Sequence, residues 1–302
     1  MDRIERWGRG GIAVAAVTVL GGCGTALLDP RGPVGQAERT ILLDSLAIML
    51  AIVVPTIIAT LGVAWWYRAA HTKARYLPDW EFSGRIELVV WAIPLMTIIL
   101  LGGVAWISSH QLDPARPLAS RTPAVEIQVV SLDWKWLFIY PEAHVASVNR
   151  LVVPAGVPLH LTLTSASVMN TFFVPQLGSM IYTMNGMATQ LHLQADEPGT
   201  FLGLSGHFSG DGFSDMRFDV RALSSSDYAA WLQSAHQAGR TLDGAAYRAL
   251  SRQGSPVAPA TWGAVEPDLF HQIVMQVLPP GPGPETGREG ASGQPAPTSA
   301  TR

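Results

Sequence analysis

Cysteine is nearly missing from this sequence: Cys23 is the only one in 302 residues. An intrachain disulfide is therefore excluded, and so is a metal site built from several thiolates. Charge is scarce as well. Asp, Glu, Lys and Arg make up 14% of the residues, against about 25% in ordinary soluble domains. The formal net charge is −3, so no basic surplus calls for a nucleic-acid partner. No internal repeat is evident. Hydrophobic residues reach 48%, and with so little charge beside them they point to contact with a bilayer.

The first residues read as an export signal, 1–22. Arg3, Arg6 and Arg9 make a basic start, and Gly11 to Leu20 is an apolar run too short to span a membrane, which takes about 20 residues. The run ends Leu20-Gly21-Gly22-Cys23, small residues before the lone cysteine. This is similar to a bacterial lipobox, in which cleavage leaves Cys23 as a lipidated N-terminus on a periplasmic segment, 23–40. The other reading is an ordinary signal with a chance cysteine. Two longer apolar stretches follow, 41–67 and 86–108, each long enough to span. Each holds an interior proline, Pro55 and Pro94, which packing against other helices can accommodate. Trp65, Trp66, Tyr67 and Trp106 stand at their ends as interfacial aromatics do. The loop between them, 68–85, carries Arg68, Lys73, Arg75 and Arg85. That excess puts the loop in the cytoplasm and both mature termini in the periplasm.

Past residue 124 the period changes. Val125-Glu126-Ile127-Gln128-Val129 alternates as a half-buried strand does. Leu151 to Val153, Leu159 to Thr164 and Thr189 to Leu193 are further strand candidates between Gly, Pro, Asn and Asp. Short strands at this spacing predict a β-sandwich or barrel over 124–222. Ser224 to Asp227 is a helix-start signal, with helices expected over 228–237 and 242–252 and an apolar piece over 269–277. Residues 223–278 thus read as a helical extension. Residues 279–302 are rich in Pro, Gly and Ser and read as a disordered tail.

This layout resembles subunit II of the haem–copper oxidases, and three segments carry the resemblance. Ser131-Leu132-Asp133-Trp134-Lys135-Trp136-Leu137-Phe138-Ile139-Tyr140-Pro141 is similar to the aromatic segment that opens that family's cupredoxin domain. Residues 167–178, from Ser167-Val168-Met169-Asn170 to Gln176-Leu177-Gly178, resemble the loop that carries the first copper-binding histidine in cytochrome c oxidases. Residues 203–216, which include Ser205-Gly206-His207-Phe208-Ser209 and end in Met216, resemble the loop with the remaining ligands. The likeness covers nearly the whole chain up to the tail and is nearest to the quinol-oxidase branch, the bo-type ubiquinol oxidases. It implies a membrane protein with a two-helix transmembrane hairpin, a periplasmic all-β cupredoxin-like domain and a small helical C-terminal extension. It further implies a place in the bacterial inner membrane, beside oxidase subunit I and the other oxidase subunits, with haem and copper in subunit I.

The dinuclear copper centre of this family takes two bridging thiolates, two imidazoles, a thioether and a backbone carbonyl. Carried onto this chain, the first histidine position is Asn170 and the two cysteine positions are Ser205 and Ser209. The carbonyl donor falls at His207 and the second histidine at Phe213; only Met216 keeps its residue type. A serine hydroxyl is hard and un-ionised at neutral pH, so it cannot replace a bridging thiolate. A lone thioether is a weak ligand and an ordinary core filler. The resemblance therefore implies no metal and no cofactor in this chain, and no electrons taken from cytochrome c. The donor it implies is ubiquinol, reaching the complex through the membrane. His207 reads as a loop histidine at the surface or at a subunit interface.

Glu87 lies at the cytoplasmic start of the second span, where a carboxylate is costly unless it faces protein or water. The resemblance implies a proton-uptake entrance into subunit I at this position; a snorkelling residue paired with Arg85 is the plain alternative. Trp134 and Trp136 are candidates for contact with subunit I. Two other functions compete: a copper-carrying subunit II of a cytochrome c oxidase, which lacks its ligands here, and a free-standing periplasmic lipoprotein, which leaves the hairpin with Glu87 unused.

Overall fold

The computed structural model describes residues 26–75, 77–254 and 257–278. The signal segment with Cys23 and the tail over 279–302 lie outside the described residues. Two long helices come first, α1 (Pro33–Trp66) and α2 (Gly84–Gln111). Their apolar windows have mean hydropathies of 2.5 and 2.4 and are not buried by the rest of the chain. Helices this apolar and this bare need lipid or other helices around them.

At about 50 Å, α1 is longer than the roughly 30 Å of a bilayer core. It starts at Pro33, well before the apolar stretch, because Gly32-Pro33 is a helix start that hydropathy does not register. These first turns rest on the β-domain. Arg31 N and Gly35 N donate to Gln176 O at 2.7 Å and Leu177 O at 3.1 Å. Gly32 must be glycine, since a Cβ there would stand 2.0 Å from Gln194 O. The first span and the β-domain are joined by continuous helix, not by a linker.

The β-domain is a sandwich. Its larger sheet has the order β12-β3-β2-β1-β5-β8, built from β1 (Val125–Leu132), β2 (Lys135–Tyr140), β3 (Val145–Val148), β5 (Leu159–Ser165), β8 (Thr189–Leu193) and β12 (Ala260–Trp262). The smaller sheet has the order β4-β10-β9-β6-β7, from β4 (Arg150–Pro154), β6 (Asn170–Phe173), β7 (Ile181–Thr183), β9 (Gly199–Ser205) and β10 (Arg217–Leu223). Side chains alternate across each strand. Ile127, Val129, Trp136, Phe138 and Tyr140 point between the sheets with Phe172 and Phe218. Val130, Leu132, Leu137 and Ile139 point the other way, into a second apolar layer with Tyr247, Trp262, Leu269 and Phe270. That layer is why Lys135 to Tyr140 is buried at every position instead of every second one.

The expected helical extension forms this second layer, and short strands accompany its helices. Helices α3 (Ser225–His236), α4 (Gly244–Leu250) and α5 (Leu269–Val274) are present, with β11 (Thr241–Leu242) and β13 (Ala264–Val265) paired between them. Strand β12 adds to the sandwich itself, its Thr261 opposite Ser147 of β3. The Ser224 signal does start a helix: its Oγ accepts from Asp227 N at 3.2 Å.

Candidate functional site

Three connections converge at one end of the sandwich: the β1–β2 turn, the β5–β6 loop and the long β9–β10 loop. They bring the copper-position residues together. Strand β6 starts at Asn170 and pairs with β9 through Phe172 opposite Ser205, the last residue of β9. Asn170, Ser205, Ser209 and Met216 are all buried, while His207 and Phe213 are half-buried on the rim.

Buried polar groups need partners, and here other side chains and backbone supply them. Ser205 Oγ lies 3.4 Å from Asn170 Oδ1 and 3.3 Å from the carbonyl of His207, and accepts from Thr171 N at 3.5 Å. Asn170 Nδ2 donates to Val168 O at 3.2 Å and reaches Ser131 Oγ at 3.5 Å. Ser131 and Thr183 share a hydroxyl bond of 2.8 Å, and Thr183 Oγ1 donates to Asn170 O at 3.3 Å. Ser209 Oγ points at Met216 Sδ, 3.9 Å away. The carbonyl of His207, where the family's donor would stand, faces a hydroxyl. Two hydroxyls, an amide and a phenyl ring with one thioether do not fit a dinuclear copper centre, because none of them supplies a soft anion or an imidazole.

Trp134 closes the loop from above. Its φ is 63°, a costly backbone conformation for a bulky side chain. The indole Nε1–H donates to Ser209 O at 3.0 Å, and Gly212 lies against the ring, where a Cβ would come within 2.3 Å. Trp134 is thus held by this chain and keeps only part of its surface exposed. Trp136, expected at a contact with subunit I, is instead 0% exposed and packed 5.4 Å from Phe172 and 5.6 Å from Phe218, so it offers no surface to another subunit.

Beside this turn sit two buried charges that the sequence reading named but gave no role. The Lys135 ammonium donates to Leu250 O at 2.9 Å and to Arg252 O, which holds the end of α4 against the sandwich. Asp133 accepts from Ser167 Oγ through Oδ1, while Oδ2 is buried without a hydrogen bond. Burial pushes the Asp133 carboxyl above its ordinary value of 3.8, against the pull of Ser167 and Lys135. Burial also pulls the Lys135 ammonium down from 10.5, with Asp133 opposing. A second missed group lies on the outer face of the larger sheet. His160 Nδ1 is 2.7 Å from Glu126 Oε2, and the His160 ring stacks on His192 at 4.5 Å. These residues face each other in register across three strands, which strand alternation alone did not reveal.

Glu87 is in the first turn of α2 and is exposed. Its Oε2 takes the indole N–H of Trp91 at 3.2 Å; among the described residues it forms no ion pair with Arg85.

Two family models match the chain: "Cytochrome C oxidase subunit II, periplasmic domain" over residues 126–223 and "COX Aromatic Rich Motif" over residues 236–281. The chain is similar to cytochrome bo(3) ubiquinol oxidase subunit 2 of Pseudomonas aeruginosa, with 47% identity over 88% of this chain and 80% of that one. It is 45% identical to ubiquinol oxidase subunit 2 of Acetobacter aceti, over 91% of this chain and 89% of the relative. Quinol oxidase subunit 2 of Bacillus cereus is 35% identical, over 80% and 84% of the two chains.

Proposed function

Because the chain belongs to the subunit 2 family of the bo(3)-type ubiquinol oxidases, we propose that it serves as the non-redox second subunit of an oxidase that passes electrons from ubiquinol to dioxygen. The observation that carries this reading is the set of loops at Asn170, Ser205, Ser209 and Phe213. In them the Asn170 amide and the Ser205 hydroxyl are engaged in hydrogen bonds with each other and with the backbone, which supports a site without metal. A domain with that interior cannot take single electrons from cytochrome c, so the donor is the lipid-soluble quinol. Haem and copper belong to subunit I. The bare hairpin docks on subunit I in the inner membrane, and the β-domain covers it from the periplasm with Trp134 at the contact.

In this reading Glu87 stands at the cytoplasmic mouth of a proton path into subunit I and gathers protons for the reduction of dioxygen and for outward translocation. A carboxylate there can take a proton from water and hand it inward. Its weak bond to Trp91, the one hydrogen bond it makes among the described residues, leaves it open to do so. Cys23 carries a diacylglyceryl group that adds a lipid anchor to the two spans. The test is purification of the intact complex with a haem spectrum and parallel turnover assays. Turnover with ubiquinol and none with reduced cytochrome c is expected. Turnover with cytochrome c, or a chain that never purifies with haem, would overturn the reading.

A further inference from the structure

At the foot of the β-domain, the first turn of α1, the end of α2 and strand β8 enclose a crevice of about 430 Å3. Val34, Leu112, Leu118 and Leu191 line it together with Asp113 and Arg116. The spans set its height. Gln111 closes α2 one turn beyond Ile107, roughly 5 Å further out, and Val34 stands two turns above Ile41, roughly 10 Å. The polar layer on each side of a bilayer core is about 5 to 8 Å deep. The Gln111 side of the crevice therefore lies in the periplasmic headgroup layer and its Val34 side at the outer edge, above the bare apolar faces of α1 and α2.

Its two charges have opposite signs and do not neutralise each other. Asp113 and Arg116 form no ion pair among the described residues, although they are only three apart. Asp113 Oδ1 accepts from Ala115 N at 3.0 Å and its other oxygen takes no hydrogen bond among the described residues. Arg116 spends one N–H on His110 O at a long 3.5 Å. Their segment is fixed: Pro114 O accepts the backbone N–H of His192 at 3.0 Å and lies 3.2 Å from its Nδ1. A carboxylate and a guanidinium held apart in one crevice suit a ligand that carries both signs itself.

We propose that this crevice binds the headgroup of a phosphatidylethanolamine from the periplasmic leaflet. Arg116 takes the phosphate and Asp113 the primary ammonium, through charge-assisted hydrogen bonds. The leucines cover the glycerol, and the acyl chains run down the hairpin. A choline headgroup has no N–H to give Asp113, and a glycerol headgroup has no cation, so both bind less well. The site rests on α1 and α2 crossing a bilayer, not on which donor feeds the complex.

The test is native mass spectrometry of the intact complex with added phosphatidylethanolamine, phosphatidylcholine or phosphatidylglycerol. An Asp113→Asn, Arg116→Gln variant should retain phosphatidylethanolamine at least about tenfold less well, the loss expected of one charge-assisted contact. Equal retention by the variant, or equal retention of phosphatidylcholine by the wild type, overturns the proposal. A photo-crosslinking residue at Ala119 in the otherwise native complex gives an independent reading. A lipid-mass adduct supports the site, and an adduct with another oxidase subunit overturns it, because protein then fills the crevice.

Discussion

The loops over the sandwich and the mouth of the second span hold their polar groups under opposite regimes. Asn170, Ser205 and Thr183 are buried, neutral and bonded to one another. Glu87 is exposed, acidic and, among the described residues, held only by an indole at 3.2 Å. Buried polar atoms left unbonded cost about 1 to 3 kcal/mol each, so the first set closes on itself. Under the proposed function, a group that hands protons to a partner stays open until the partner arrives, and the difference then separates a scaffold from a working part within one chain.

The largest effect should come from breaking the scaffold. Trp136→Ala removes the ring that packs against Phe172 and Phe218. It should cost about 3 to 5 kcal/mol, read as loss of the assembled chain from membranes and a lower unfolding midpoint. Lys135→Met leaves the carbonyls of Leu250 and Arg252 without their donor. About 2 kcal/mol is expected, seen as faster proteolysis across α4 while the two spans stay intact.

At the other site, Glu87→Gln should slow ubiquinol turnover about tenfold, short of the hundredfold or more for a group that transfers the proton in the transition state. Assembly and haem content should not change. Unimpaired turnover would return Glu87 to a passive interfacial role. Ser205→Ala, which removes bonds of 3.3 to 3.5 Å, should cost about 1 kcal/mol. Ser209→Ala should cost less, since among the described residues its hydroxyl meets only a thioether at 3.9 Å. Neither should alter turnover; a drop with either would show that the emptied loops still take part in electron transfer.

Asp133 gives the comparison a pH axis. Its folded-state value is raised above the ordinary 3.8 by burial. The fold therefore binds its proton more tightly than the unfolded chain does, and the resulting stability is full below 3.8 and lost as pH rises through the raised value. The wild-type β-domain should gain stability at this site as pH falls toward 4. Asp133→Asn should remove that slope and keep the bond to Ser167; an unchanged slope would assign it to other groups.

Much of the architecture was legible in residue order. The alternation from Val125 to Val129 and the two apolar stretches marked the β-domain and the spans, and Ser224 marked the start of α3. What stayed hidden depends on contacts distant in sequence. The strand β12 is three residues long, too short to show a period, and it forms because β3 offers a free edge. Trp136 looked like a partner of Trp134, yet Trp136 lies within β2 and is buried between the sheets, while Trp134 stands in the turn before the strand and packs on the rim of the same layer. The unbroken run Lys135 to Tyr140 was the available sign that both faces were covered. That Asn170, Ser205, Ser209 and Met216 come together at one end of the sandwich was legible only through the resemblance of their loops, since they are distant in sequence. The crevice at Asp113 and Arg116 was not, since it is made by four separate segments.

The most direct test of the scaffold claim is a metal analysis of the purified complex, followed by separation of its subunits. The account predicts that copper and haem leave with the haem-bearing subunit and that this chain carries neither. Stoichiometric copper on the separated chain, lost on Met216→Ala, would contradict it.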